Sequence, residues 1–400
     1  MTRIVCLAAL LAAVLAPAAQ AGSPAATAIA LDKQMSRAGS GSGAYVVDLD
    51  SGATLYDRAA DVPRTPASVN KLYTTSAALL RWGETGQLTT EVLGSTGLDE
   101  DGVVSGNVYL RGGGDPEFSG AEARGLAGVL AGSGLTKVTG RIVGDESRFD
   151  GLRGGPDSNF STSIWVGPLS GLPFNKGLTL GVRPSFQRDP ARYAADQFRL
   201  ELRRAGVKIR RKATVGATPA GAVTLGEWAS ARMAVLVRHT NRPSDNYMAE
   251  TLLKGLGADF GGAGTTAAGA IVARRTAAEF GAQPQIVDGS GLSRQNRTTP
   301  HDVVRLLQGI NQSDVADPMR ISLAVAGKSG TLSDRMRHSS ARGRCRAKTG
   351  TLVGVSNLAG YCDSPAGGHV AFAFLMTGVN VWTAHRLQDR MAGVLARYTP

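Results

Sequence analysis

A serine hydroxyl and a lysine amine stand three residues apart in Thr65-Pro66-Ala67-Ser68-Val69-Asn70-Lys71. On a helix that spacing puts Ser68 and Lys71 on one face. An alcohol is a poor nucleophile at neutral pH, but a neutral amine within hydrogen-bond reach can take its proton. Pro66 suits a helix entry, Ala77-Ala78-Leu79-Leu80 continues the run, and Gly83 suits its end, so the pattern predicts a helix over 68–82. Ser68 would then lie in the first turn, where free backbone N–H groups can bind a developing oxyanion. A lone Ser-x-x-Lys arises about once by chance in a chain this long, and alone it reads first as an ordinary amphipathic helix.

Two later stretches supply the groups such chemistry still lacks. Ser244-Asp245-Asn246 sits where a helix over 233–239 gives way to a loop. There the Ser244 hydroxyl can relay a proton to a leaving amine, the Asn246 amide can hold a substrate peptide group, and Asp245 points away as a structural residue. Lys348-Thr349-Gly350-Thr351 reads as an edge-accessible strand. Lys348 brings a second cation, which together with burial lowers the proton affinity of Lys71. Thr349 with Lys348 offers a carboxylate site, Gly350 lets a substrate lie close, and the N–H of Thr351 pairs with that of Ser68 as an oxyanion hole. Lys328-Ser329-Gly330-Thr331 carries almost the same letters, but no long alternating hairpin follows it. It is assigned to a loop, and Lys348 is kept.

Other chemistries find little support. The five histidines are scattered without ligand-like spacing and no Cys-x-x-Cys occurs, so neither a metal nor another cofactor is predicted. Gly112-Gly113-Gly114-Asp115-Pro116 resembles a phosphate loop only in its glycines; it lacks the Lys-Ser/Thr continuation and reads as a structural turn.

The chain opens on a basic Met1-Thr2-Arg3, an apolar run, and Ala19-Gln20-Ala21. That is the pattern of a secretory signal peptide over 1–21, cut after Ala21 and taking Cys6 with it. No other run approaches a membrane span, so the mature chain is expected to be soluble outside the cytoplasm. Cys345 and Cys362 remain in an oxidising compartment. If Val353-Gly354 is a hairpin tip, they fall opposite one another, either as a disulfide that staples the Lys348 strand or as two buried thiols. The net charge is +12. Nucleic acid is an improbable partner for an exported chain; anionic envelope polymer fits, although a soluble arginine-rich surface is the simpler reading.

The elements that must position these groups follow in order. A hairpin spans 43–55, and helix 68–82 follows it. Strands at 90–94 and 106–110 flank a turn-rich 97–105, with a helix at 121–131 and a strand at 139–145. Residues 151–163 read as a polar loop, 193–205 as a helix, 206–209 as a strand and 216–226 as a loop. Helices at 233–239, 247–256, 267–280 and 299–310 come next, with a turn-rich loop at 288–294. Strands at 356–362 and 370–376 and a helix over 384–398 finish the chain. The distance from Ser68 to Ser244 exceeds what a compact layout needs, which marks an insertion.

With these residues in view the chain resembles the class C low-molecular-mass penicillin-binding proteins, the serine D-alanyl-D-alanine carboxypeptidases and endopeptidases. The three signatures carry the likeness, and the blocks at 112–116, 140–149, 288–294 and 348–361 extend it. The resemblance implies an α/β (α+β) fold of the β-lactamase and transpeptidase type, an antiparallel sheet flanked by helices. The catalytic domain would be built from 22–88 and 227–400 around an inserted β-rich domain at 89–226, with a reduced third domain around 151–200. It implies acylation of Ser68 by peptidoglycan stem peptides, with Lys71 as base, Ser244 and Asn246 completing the centre, and a terminal carboxylate meeting Lys348, Thr349 and Thr351. Arg294 corresponds to a residue near the substrate. β-Lactam antibiotics would be covalent inhibitors, and the site of action the periplasm, the cell wall or the medium. The family's acidic residue for the free amine of the stem peptide has no clear counterpart; Asp157-Ser158-Asn159-Phe160 to Trp165 lies nearby and aligns poorly. A β-lactamase or esterase, or a non-catalytic wall-binding module, stands as the alternative.

Overall fold

The computed structural model describes residues 22–400; the expected signal peptide, with Cys6, lies outside the described residues. Both ends of the described chain build one six-stranded antiparallel sheet. Its order is Ala324–Val325, Cys345–Leu352, Val355–Asp363, His369–Thr377, Gly43–Asp48 and Thr54–Arg58. Alternation in the two central strands explains how the sheet is held. Ala359, Tyr361, Ala371 and Ala373 face a core made with the helices from Lys71–Trp82 to Pro300–Asn311. Leu358, Cys362, Phe372 and Phe374 face a second core, covered by Pro24–Met35 and Val381–Leu395. A strand buried on both faces reads as an unbroken apolar run, as 370–376 does.

The chain leaves this body after Trp82 and returns to it at helix Met233–Asn241. In between lies a five-stranded sheet ordered Val223–Ala229, Thr89–Gly94, Val108–Arg111, Ile142–Asp145 and Thr214–Val215, with helices Gly120–Gly132 and Pro190–Arg204 packed on it around a separate core. A small parallel sheet of Val103–Val104, Lys137–Val138 and Lys208–Ile209 closes its far side.

Three local readings need correcting. The expected loop at 216–226 ends inside strand Val223–Ala229, whose register slips between Thr224 and Gly226 and whose residues are mostly exposed; a bulged, solvated strand shows no clean alternation. Helix Pro24–Met35 was not anticipated, although Ser23 accepts from the Ala26 amide as its N-cap and Pro24 begins it. The expected helix over 68–82 is two pieces, a 3-10 turn Ala67–Asn70 followed by α-helix Lys71–Trp82.

Candidate active site

That last difference sharpens the chemistry. In a 3-10 turn residues i and i+3 eclipse one another, which aligns Ser68 with Lys71 more directly than an α-helix would. Lys71 Nζ lies 3.0 Å from Ser68 Oγ, 2.7 Å from Asn246 Oδ1 and 2.6 Å from the Ser290 carbonyl oxygen. The last two partners can only accept. A neutral amine has two N–H bonds for them and one lone pair, and the lone pair is left facing the hydroxyl. Burial favours that neutral form: Lys71 is fully enclosed and its pKa falls to about 8, against the opposing pull of Asp288, Glu250 and Asp245.

The turn is held from three sides. Asn357, on the strand next to Gly350, donates to the Thr65 and Pro66 carbonyls at 3.0 and 2.7 Å. A side chain on Gly350 would meet the Pro66 carbonyl oxygen at 2.7 Å, and one on Gly291 would meet that of Ala67 at 1.9 Å. Gly350 is therefore required by the turn that carries Ser68, whereas the sequence suggested room for a substrate. Between these clamps Ala67 takes φ +46, and Ser244 opposite takes φ +66. Positive φ in non-glycine residues costs energy that only a surrounding framework can hold in place.

Ser244 and Asn246 arrive on the entry to helix Asn246–Phe260. Asp245 is its N-cap, accepting from the Met248 amide at 3.0 Å and pairing with Lys176 Nζ at 2.6 Å. The Asn246 amide is engaged at both ends, since Nδ2 also donates to the Trp165 carbonyl at 3.1 Å. Lys348 Nζ bonds Ser244 Oγ at 2.7 Å and the Thr349 carbonyl at 3.0 Å. Burial and the charge of Lys71 push its pKa well below the ordinary value.

Among the described residues the strand Cys345–Leu352 is flanked on its outer side only by Ala324–Val325, which pairs with Arg346 and Ala347. From Lys348 onward the edge is open. The Cys345 carbonyl accepts from Ala326 on that side, and the Arg344 carbonyl from Asp363 on the other. Antiparallel alternation then turns the N–H of Thr351 to the open edge. Cys345 and Cys362 are paired residues of the hairpin and form a disulfide.

A cleft of about 630 Å³ collects Ser68, Ser244 and Asn246 with Thr349, Thr351 and Arg294. Arg294 also donates to the Val353 carbonyl at the hairpin tip, at 2.7 Å. Three further polar or aromatic lining residues were not assigned from sequence. Asp157 and Trp165 both reach the cleft. So does Thr331, from the stretch set aside as a loop: it lies in the 3-10 turn Gly330–Leu332 and its hydroxyl bonds that of Thr349 at 2.8 Å. The near-duplicate letters of 328–331 and 348–351 were the available signal.

The family model described as the D-Ala-D-Ala carboxypeptidase 3 (S13) family matches residues 26–183 and 181–398. Among curated relatives, a D-alanyl-D-alanine carboxypeptidase from Actinomadura sp. is 29% identical, covering 90% of this chain and 82% of its own. Carboxypeptidase DacB from Mycolicibacterium smegmatis is 30% identical, over 88% and 79%. Penicillin binding protein 4 (dacB) from Haemophilus influenzae superposes with a TM-score of 0.78 at 21% identity, covering 90% of this chain and 97% of that one. No helix of the described residues is long and apolar enough to cross a membrane.

Proposed function

The chain belongs to the D-Ala-D-Ala carboxypeptidase 3 family and is a serine-type carboxypeptidase; from that premise we propose that Ser68 is its nucleophile and that it cleaves peptidoglycan stem peptides through an acyl-enzyme. Lys71, neutral, takes the Ser68 proton as Oγ attacks the carbonyl carbon of the penultimate D-alanine. The oxyanion is held by the N–H groups of Ser68 and Thr351. As the C–N bond breaks, the Ser244 hydroxyl, backed by Lys348 Nζ at 2.7 Å, relays a proton to the departing D-alanine amine. Water then enters by the reverse route and frees Ser68. The contact that carries this reading is the 3.0 Å approach of Lys71 Nζ to Ser68 Oγ with both other partners acceptor-only.

Binding follows from the same cleft. The terminal carboxylate meets Thr349, Thr351 and the field of Lys348, with Arg294 at the rim. Asp157, exposed beside Trp165, receives the free amine of the stem side chain. Cross-linked peptides enter the same cleft, so endopeptidase action is part of the proposal. β-Lactams acylate Ser68 and stay; a second structure of the Haemophilus protein is complexed with a β-lactam. Among the described residues no glutamate lines the cleft to activate water for fast deacylation, which disfavours a β-lactamase. Export is supported by the Cys345–Cys362 disulfide. A fluorescent penicillin labels the wild type and not Ser68→Ala; equal labelling of both removes the assignment.

A further inference from the structure

One fully buried acid touches neither the cleft nor the substrate path. Glu250 lies one helical turn beyond Asn246 and is 0% exposed. Its Oε1 accepts from the Gly289 and Ser290 amides at 3.1 and 2.8 Å, and its Oε2 from Gly289 at 3.1 Å. The peptide unit so held ends in the Ser290 carbonyl, which receives Lys71 Nζ at 2.6 Å. An unpaired buried carboxylate would be costly. Here two backbone N–H groups compensate it, and Lys71 lies within its field.

Building on the assignment of Lys71 as base, we propose that Glu250 is a positioning residue for Lys71, aiming the amine through the 289–290 backbone and setting by its charge the pH at which that amine becomes free.

The groups around this pair define the sign. Asp288 stands beside Glu250 from the 288–294 loop and accepts from the Gly291 and Ser293 amides. Asp245 at the helix start is neutralised by Lys176. Lys254, one turn beyond Glu250, is taken by Asp150 at 2.5 Å. Lys348 faces Lys71 from the strand. The helices on the far side of Lys71–Trp82 present neutral groups, Asn241 bonding Thr75 and Ser322. Burial and Asp288 raise Glu250 to about 7, while burial lowers Lys71 to about 8. In the upper part of the interval in which Lys71 sheds its proton, Glu250 is ionised. Its negative charge therefore holds the proton on Lys71 to higher pH, and removing that charge must release it earlier.

Glu250→Gln removes the charge while its amide oxygen can keep both bonds that Oε1 now accepts, giving up only the second Gly289 contact made by Oε2. The second-order rate of acylation by a penicillin is measured from pH 5 to 10. In E250Q the midpoint of the acid limb moves lower by about half a pH unit, and the gain relative to the plateau shows near that midpoint and fades by about pH 6, where Glu250 is itself protonated in the wild type. Glu250→Asp keeps the charge on a shorter arm: its limb stays near the wild-type pH and its plateau falls. An E250Q profile parallel to wild type, lower but with the same midpoint, overturns the charge claim. An unchanged E250D plateau overturns the positioning claim, and decides the matter alone should E250Q not fold. A wild type that no penicillin acylates would instead sink the assignment of Ser68 and Lys71.

Discussion

Gly350 approaches Ser68 so closely that a β-carbon on it would lie 3.2 Å from the Ser68 amide nitrogen. The strand and the nucleophile's turn are thus in backbone contact, and the amide that would bind an oxyanion sits at the join. Gly350→Ala must push the two apart. A displacement of about 1 Å at a reacting group costs on the order of 10²-fold in rate, and an added methyl in a tight contact costs about 1–3 kcal/mol in stability. Stopped-flow acylation and a thermal melt measure the two effects; an alanine variant that acylates at the wild-type rate removes the requirement.

Acylation should rise with pH about a midpoint near 8, the value to which burial lowers Lys71. Stability should move the same way. Lys71 binds its proton more tightly when unfolded, near 10.5, than when folded, so the unfolded chain carries more protons between about 8 and 10 and stability climbs with pH there. Lys348 is displaced in the same direction and carries the rise to lower pH. Denaturant midpoints at pH 7.5 and 9.5 test the sign. A rate profile flat from pH 6 to 10 contradicts a titrating base.

Reducing Cys345–Cys362, which closes a loop with a sequence separation of 17, should destabilise the fold by about 3 kcal/mol. The strands stay paired through Leu352 and Val355, so labelling by penicillin should survive at low temperature and fail earlier on heating. Thiol titration of the denatured, unreduced mature chain should find no free thiol; two free thiols would contradict the bond.

Asp157→Asn should lower kcat/KM roughly fivefold for peptides with a free side-chain amine, the range of a solvent-exposed ion pair. Peptides with that amine acetylated should be unaffected. An equal loss on both would make Asp157 a structural residue of its loop.

How much of this was legible depends on where the information lies in the chain. The hydroxyl, the two amines and the amide are in the letters of Ser68, Lys71, Asn246 and Lys348, and the paired strands follow from the apolar run 370–376. The cross-strand cysteines were visible once Val353-Gly354 was taken as a tip, though the bond itself was not. What stayed hidden is set by tertiary contact. Nothing local to Asn357 marks it as the clamp on Pro66, and nothing local to Ala67 marks the left-handed φ it takes between Gly291 and Gly350. The residues after Thr331, Ser333-Asp334-Arg335, break the alternation of a strand and hide its role, yet a 3-10 turn delivers its hydroxyl equally well. Glu250 sits amid a helix as a solvent-facing glutamate would, and only the fold shows which way it turns.

The most direct test of the account is mass spectrometry of the mature protein after incubation with benzylpenicillin, followed by digestion. One adduct is expected, carried by the peptide containing Ser68, absent from Ser68→Ala and slowed by orders of magnitude in Lys71→Ala. An adduct elsewhere, or one that survives the loss of Ser68, would contradict it.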